Sequence, residues 1–126
     1  MIITHTVPKV SVCMATYNGS EFISQQLYSI LIQLGPNDEV IISDDSSTDS
    51  TIDIIESFKD ERIKLIKDQY FRSAVLNFEN ALKFATGNYI FLSDQDDIWH
   101  TNKVKRMIEA LGNADFVISD CNFIDS

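Results

Sequence analysis

Two tight acidic groups are the residues best suited to chemistry, Asp94-Gln95-Asp96-Asp97 and Asp44-Asp45. Carboxylates packed this closely repel, and each raises its neighbour's pKa unless a cation compensates. Hard divalent ions such as Mg2+ or Mn2+ take oxygen ligands, and keep waters and substrate phosphates for the rest of their shell. One or two carboxylates on a rigid strand end suit that task. The alternative for Asp94–Asp97 is a surface loop that caps the helix starting near Thr101 and favours its dipole. An EF-hand is excluded: there is no Gly at the turn, and Lys105 stands where the closing Glu should be. Asp44-Asp45 has two readings as well. It either accepts hydrogen bonds from a base or ribose, or merely caps the next helix through Ser46 to Asp49. Thr16-Tyr17-Asn18 either lines a nucleoside pocket, with Tyr17 beside a ring, or forms a plain turn. Arg72 is a candidate for a phosphate or an ordinary exposed arginine. His5 and His100 show no ligand spacing, Trp99 reads as a core or hinge residue, and there is no Gly-rich phosphate loop.

These groups need a scaffold, and the periodicities supply one. Val10–Ala15 is an apolar run that reads as a buried strand. Ile23, Leu27, Ile30, Leu31 and Leu34 then recur at helical spacing, with Ser20 as the expected N-cap and Gly35-Pro36 as the stop. Glu39–Ser43 is a second buried strand, and Ile52, Ile55 and Phe58 mark the helix after it. Arg62–Ile66 alternates polar and apolar, as a half-exposed strand does. Val75, Phe78, Ala81, Leu82 and Ala85 mark a helix closed by Gly87, and Asn88–Ser93 is a strongly apolar strand. Val104, Met107, Ile108 and Leu111 mark a helix, and Asp115–Ser119 a last strand. Alternating strands and helices predict an α/β fold, a mostly parallel sheet flanked by helices. Ligands then bind beyond the carboxyl ends of the strands, where all three polar clusters fall.

Composition narrows the function classes. The 126 residues suit one domain, and 44% hydrophobic with 23% charged residues is the balance of a soluble globular chain. Ten Lys plus Arg stand against 19 Asp plus Glu, a net charge of -9. A nucleic-acid binder needs a basic face, so none is expected. Cys13 and Cys121 read as reduced thiols rather than a disulfide or a metal site. Met1 to Lys9 do not form a signal peptide, and no run reaches the length of a membrane span. A cytoplasmic domain is expected, with membrane association only through other parts of a longer chain.

Three motifs now stand in order: Val10-Ser-Val-Cys-Met-Ala-Thr-Tyr-Asn-Gly19, Glu39-Val-Ile-Ile-Ser-Asp-Asp-Ser-Ser-Thr-Asp49 and Gly87-Asn-Tyr-Ile-Phe-Leu-Ser-Asp-Gln-Asp-Asp-Ile-Trp99. Together they resemble the inverting family 2 glycosyltransferases, from about Lys9 onward. The resemblance implies a GT-A, Rossmann-like fold and a nucleoside-diphosphate sugar as donor. It implies that Thr16 and Tyr17 border the nucleobase, and that Asp44 and Asp45 bind base and ribose. Asp94-Gln95-Asp96 matches the family's DXD motif. Asp94 would face the ribose, Asp96 would bind the Mn2+ or Mg2+ that bridges the diphosphate, and Asp97 would support them.

The sequence departs from the family at Ala15, where Pro is common before Thr-Tyr-Asn. It departs again at Gln69–Ser73, where a Gly-containing loop is common. The resemblance further implies that residues 1–126 form the nucleotide-sugar-binding part of a GT-A domain whose acceptor half, with the general base, lies beyond Ser126; Asp120 is expected to be structural. The acceptor would be a glycan or lipid-linked sugar of bacterial surface polysaccharide, and UDP- and dTDP-linked donors both remain open. Two rivals stand beside this reading. One is a receiver-like signalling domain, which needs an acidic pair after the first strand and a Lys after the last. Thr16-Tyr17 and Asp120-Cys121 occupy those places. The other is a nucleotide-sugar-binding module without catalysis.

Overall fold

The computed structural model describes residues 8–94 and 97–111. His5, Gln95, Asp96, Asp120, Cys121 and the strand expected over 115–119 lie outside the described residues. Strands β1 (Val10–Thr16), β2 (Glu39–Asp44), β3 (Ile63–Ile66) and β4 (Tyr89–Ser93) alternate with helices α1 (Ile23–Leu31), α2 (Thr51–Ser57), α3 (Ala74–Lys83) and α4 (Lys103–Leu111). The sheet has the order β3-β2-β1-β4, and every pairing is parallel. The expected α/β architecture is therefore present. A receiver-like sheet of the flavodoxin type places the first strand between the second and third. Here β1 lies between β2 and β4, which removes that rival on topology.

Every residue of β1 and β2 is buried, as continuous apolar strands between two layers must be. Alternation divides β1 between two faces. Val10, Val12 and Met14 join Val40, Ile42 and Phe91 against Ile23, Leu27 and Ile30 of α1, Ile55 of α2 and Val104 of α4. Each such side chain contributes roughly 1.5–3 kcal/mol on burial, so this face carries most of the stability. Trp99 belongs to it, tilted against Phe91 with ring centroids 5.7 Å apart. On the other face, among the described residues, Cys13 and Ile41 form a small buried cluster with Ala81 of α3. Burial of Cys13, with Glu39 nearby, pushes its thiol up to about 11 and keeps it unreactive.

The local expectations meet the structure with two corrections. Ser20 does not cap α1. Phe22 holds that position without a side-chain bond, while the Ser20 N–H donates to Asp49 Oδ2 at 3.1 Å. Gly87 does not close α3, which ends at Lys83. It instead sits against the start of β1, where its N–H donates to Ser11 Oγ at 2.8 Å. Ser73 caps α3 by accepting from the Leu76 N–H.

Opposite the carboxyl edge, Glu39 ties the sheet together. Its side chain accepts from Ser11 Oγ at 2.5 Å, Lys64 Nζ at 2.6 Å and the Thr86 N–H at 2.8 Å. Burial raises its pKa, but the bonds from Lys64, Ser11 and Thr86 outweigh this and hold the carboxyl well below the ordinary range. A group whose folded pKa is lowered contributes stability above its unfolded value, about 4.3 for Glu, and loses it as pH falls toward the folded value. Denaturant melts should give constant stability down to about pH 5 and a decline below about pH 4. Glu39→Gln should be less stable at neutral pH and decline less steeply in acid. An unchanged acid slope in the variant would remove Glu39 from this role.

Candidate nucleotide site

Parallel pairing brings three loops to one edge. Thr16 is in register with Asp44 across β1 and β2, and Met14 with Ser93 across β1 and β4. The point where successive strands depart to opposite sides of β1 is where such sheets leave a ligand crevice. A cavity of about 760 Å3 lies there, lined by Ala15, Thr16, Tyr17, Asp45, Ser46, Tyr70, Arg72, Ser73, Ala74, Asn77, Phe78 and Asp94. Thr16, Tyr17, Asp45 and Asp94 thus border one space although the chain supplies them from three separate motifs.

The two adjacent acids at the end of β2, Asp44 in the strand and Asp45 just after it, have different surroundings. Asp44 is 1% exposed and is not among the residues lining the cavity. Its Oδ1 accepts from Thr16 Oγ1 and Ser47 Oγ, each at 2.6 Å, and its Oδ2 accepts from the Ser47 N–H at 2.8 Å. Those bonds lock the end of β1 to the loop after β2. Asp45, half-buried, lines the cavity and accepts from the Phe71 N–H at 2.7 Å. It thereby also holds the loop after β3, which carries Tyr70 and Arg72.

Asn18 completes the frame. Its φ of 49° lies in the left-handed region, which Asn tolerates better than most residues. Its Oδ1 accepts from the Thr48 N–H at 2.7 Å, and its own N–H donates to Ser47 Oγ at 2.9 Å. Ser46 and Arg72, both at the cavity, also have positive φ, 56° and 50°. Strained backbone of this kind collects at binding sites. Tyr17 is 54% exposed and Tyr70 80%, so two aromatic rings border the space. Among the described lining residues Arg72 is the sole cation, beside the carboxylates of Asp45 and Asp94.

Asp94 follows β4 and is exposed to the cavity, and the Asp97 N–H donates to its carbonyl at 3.2 Å. Among the described residues no group of three or more His, Cys, Asp or Glu is placed to hold a metal. The donors that are described at this strand end, the carboxylates of Asp94 and Asp97, are hard oxygens of the kind Mg2+ and Mn2+ take, so the chemistry of the loop fits such an ion. Asp96 itself lies outside the described residues. Sequence reasoning missed Ser46, Tyr70 and Asn77 at this cavity. Asn77 had a signal: it stands four residues before Ala81, on the face of α3 that packs on the sheet. Its Nδ2 donates to the Thr16 carbonyl at 3.2 Å.

A parallel α/β domain with an acidic cavity at its carboxyl edge is the class that fold and site define. The chain belongs to glycosyl transferase family 2, whose model matches residues 11–126. It is 41% identical over 114 residues to the UDP-Glc:alpha-D-GlcNAc-diphosphoundecaprenol beta-1,3-glucosyltransferase WfaP of Escherichia coli, covering 90% of this chain and 45% of that protein. It is 40% identical over 105 residues to the dTDP-rhamnosyl transferase RfbG of Shigella flexneri, covering 78% and 36%. The chain thus spans less than half the length of these relatives. Its fold superposes on S. aureus TarS in complex with UDP, with TM-score 0.74 and 28% identity over 83% of this chain and 32% of that one. It also superposes on the Pyrobaculum calidifontis mannosyltransferase PcManGT in complex with GDP-Man and Mn2+, with TM-score 0.76 and 26% identity over 85% and 33%. The GT-A form of the α/β fold is accordingly established. Among the described residues no helix is long and apolar enough to cross a membrane.

Proposed function

We propose that this chain is the nucleotide-sugar-binding part of an inverting glycosyltransferase. It would take a UDP- or dTDP-linked sugar and serve transfer to a glycan or lipid-linked acceptor in bacterial surface polysaccharide synthesis, at the inner face of the membrane. The observation that carries the reading is the single cavity bordered by Thr16, Tyr17, Asp45 and Asp94. Tyr17 and Tyr70 offer ring faces to a base. The Asp45 carboxylate is an acceptor for a base or ribose donor, Asp94 for the ribose, and the Arg72 guanidinium is suited to phosphate oxygens. Asp44 acts one step back, by holding Thr16 and the loop that carries Asp45. Asp96 and its neighbours would hold Mn2+ or Mg2+, which when bound supplies Lewis-acid stabilisation of the departing diphosphate. The general base and acceptor site are not assigned within residues 1–126, which span 45% and 36% of the two relatives. The names of the relatives support both donor classes, UDP-glucose in one and dTDP-rhamnose in the other.

Calorimetric titration with UDP and dTDP, in Mn2+ and in chelator, tests this reading. Reciprocal linkage requires that the ion tighten nucleotide binding, and an enhancement of about tenfold lies within the usual range of such coupling. Asp96→Asn keeps the shape and removes the charge, so the enhancement should vanish while binding in chelator persists. If Asp96→Asn kept the full enhancement, the ligand assignment would fail and the helix-capping alternative would return for that loop.

A further inference from the structure

Helix α1 faces the core with Ile23, Leu27, Ile30 and Leu31, yet Gln26 and Ser29 of the helix and Gln33 in the turn after it follow one another three and four residues apart. Gln26 is 0% exposed and Ser29 6%. Burying such groups is unfavourable unless they find partners, and all their long-range partners lie in one segment. Gln26 Nε2 donates to Ser93 Oγ at 2.9 Å and to the Asp94 carbonyl. Ser29 Oγ accepts from the Trp99 N–H at 3.0 Å. Gln33 Nε2 donates to the His100 carbonyl at 2.6 Å, and its Oε1 accepts from the Val104 N–H at 3.0 Å. The row therefore grips the chain on both sides of the acidic loop, at the end of β4 and at the approach to α4.

Packing alone does not require this arrangement. Gln26 Oε1 is buried with no hydrogen-bond partner, a penalty that an apolar residue at the same position would avoid. From this geometry we infer that Gln26, Ser29 and Gln33 are positioning residues, which fix where Asp94 and Trp99 stand and so preorganise the carboxylates of Asp94 and Asp97 for the ion. The inference rests on the donor-site reading above. Residues that orient ligands from behind have an established scale: their loss typically costs about 10–100-fold in metal affinity or activity.

The test replaces Gln26 by Met, which keeps length and apolar packing but donates nothing. UDP and dTDP are titrated against the unaltered chain and Gln26→Met, in Mn2+ and in chelator, with amide hydrogen exchange read at Trp99. We expect binding in chelator to weaken only severalfold, through the Asp94 contact that Gln26 supports, while the Mn2+ requirement rises about tenfold or more. Trp99 exchange should quicken. Gln33→Leu, at a half-exposed position, should shift the Mn2+ requirement in the same direction and serves if Gln26→Met does not fold. Equal Mn2+ dependence in the unaltered chain and both variants overturns the positioning role alone. An unaltered chain with no Mn2+ enhancement overturns the donor-site reading, and this inference with it.

Discussion

Asp45→Asn is expected to weaken UDP or dTDP binding by about tenfold to a hundredfold, the scale of a lost hydrogen bond to a charged group, with the fold intact. Asparagine keeps an oxygen for the Phe71 N–H, so the loop bearing Tyr70 and Arg72 stays in place. What changes is the other side of the group, where an acceptor becomes a donor facing the cavity. The loss should be the same in Mn2+ and in chelator, because Asp45 follows β2 while the proposed ion ligands lie on the loop after β4. Asp44→Asn should behave differently. Thr16 O–H, Ser47 O–H and Ser47 N–H all converge on the two Asp44 oxygens, and an amide with one oxygen cannot accept them all. The buried donor left over costs about 1–3 kcal/mol of stability, and nucleotide affinity should fall as a consequence. Denaturant melts beside calorimetry separate the two. If Asp44→Asn melted like the unaltered chain while abolishing binding, Asp44 would be the contact residue and the assignment of Asp45 would be wrong.

Gly87→Ala should give a large loss of stability for the addition of a single methyl group. A Cβ on Gly87 would stand 2.6 Å from Ser11 Oγ, 2.8 Å from the Lys9 carbonyl oxygen and 2.8 Å from the Ser11 nitrogen. Two of those atoms are backbone and cannot rotate away. The same carbonyl of Lys9 accepts from the Asn88 and Tyr89 N–H groups, at 2.7 and 3.1 Å, where β4 joins β1. Making room for the methyl group pushes the two strands apart at that junction. Overpacking of this kind typically costs about 1–3 kcal/mol, and the rigid neighbours place Gly87→Ala at the upper end. The denaturation midpoint should fall with an unchanged slope. Nucleotide affinity of the folded fraction should hold, because Gly87 lies at the amino edge, across the sheet from the cavity. A midpoint unmoved by the substitution would mean that the junction yields more easily than its backbone contacts imply.

The two acids at the end of β2 mark the boundary between what sequence and tertiary structure each decide. The apolar runs of β1 and β2, the helical spacing of Leu27 and Ile30 and the polar residues after each strand are local signals, readable because burial in a parallel sheet demands them. From them alone follow the α/β class and the single edge to which Thr16, Asp45 and Asp94 come. Which of Asp44 and Asp45 meets the cavity is not local. The choice was made only when β2 paired with β1 and Asp44 came to stand beside Thr16, whose hydroxyl donates to it. The functions of Asn77 and Gln26 are further from view. Each is one polar residue in an amphipathic helix, and its partner lies 61 or 67 residues away in the chain. Gly87 is similar: its place before β4 reads as a helix stop, but the contact that excludes a side chain is with Lys9 and Ser11. Periodicity reports which face of an element is buried. What that face touches is settled by how the elements pack, and there the positions of the site-forming groups are decided.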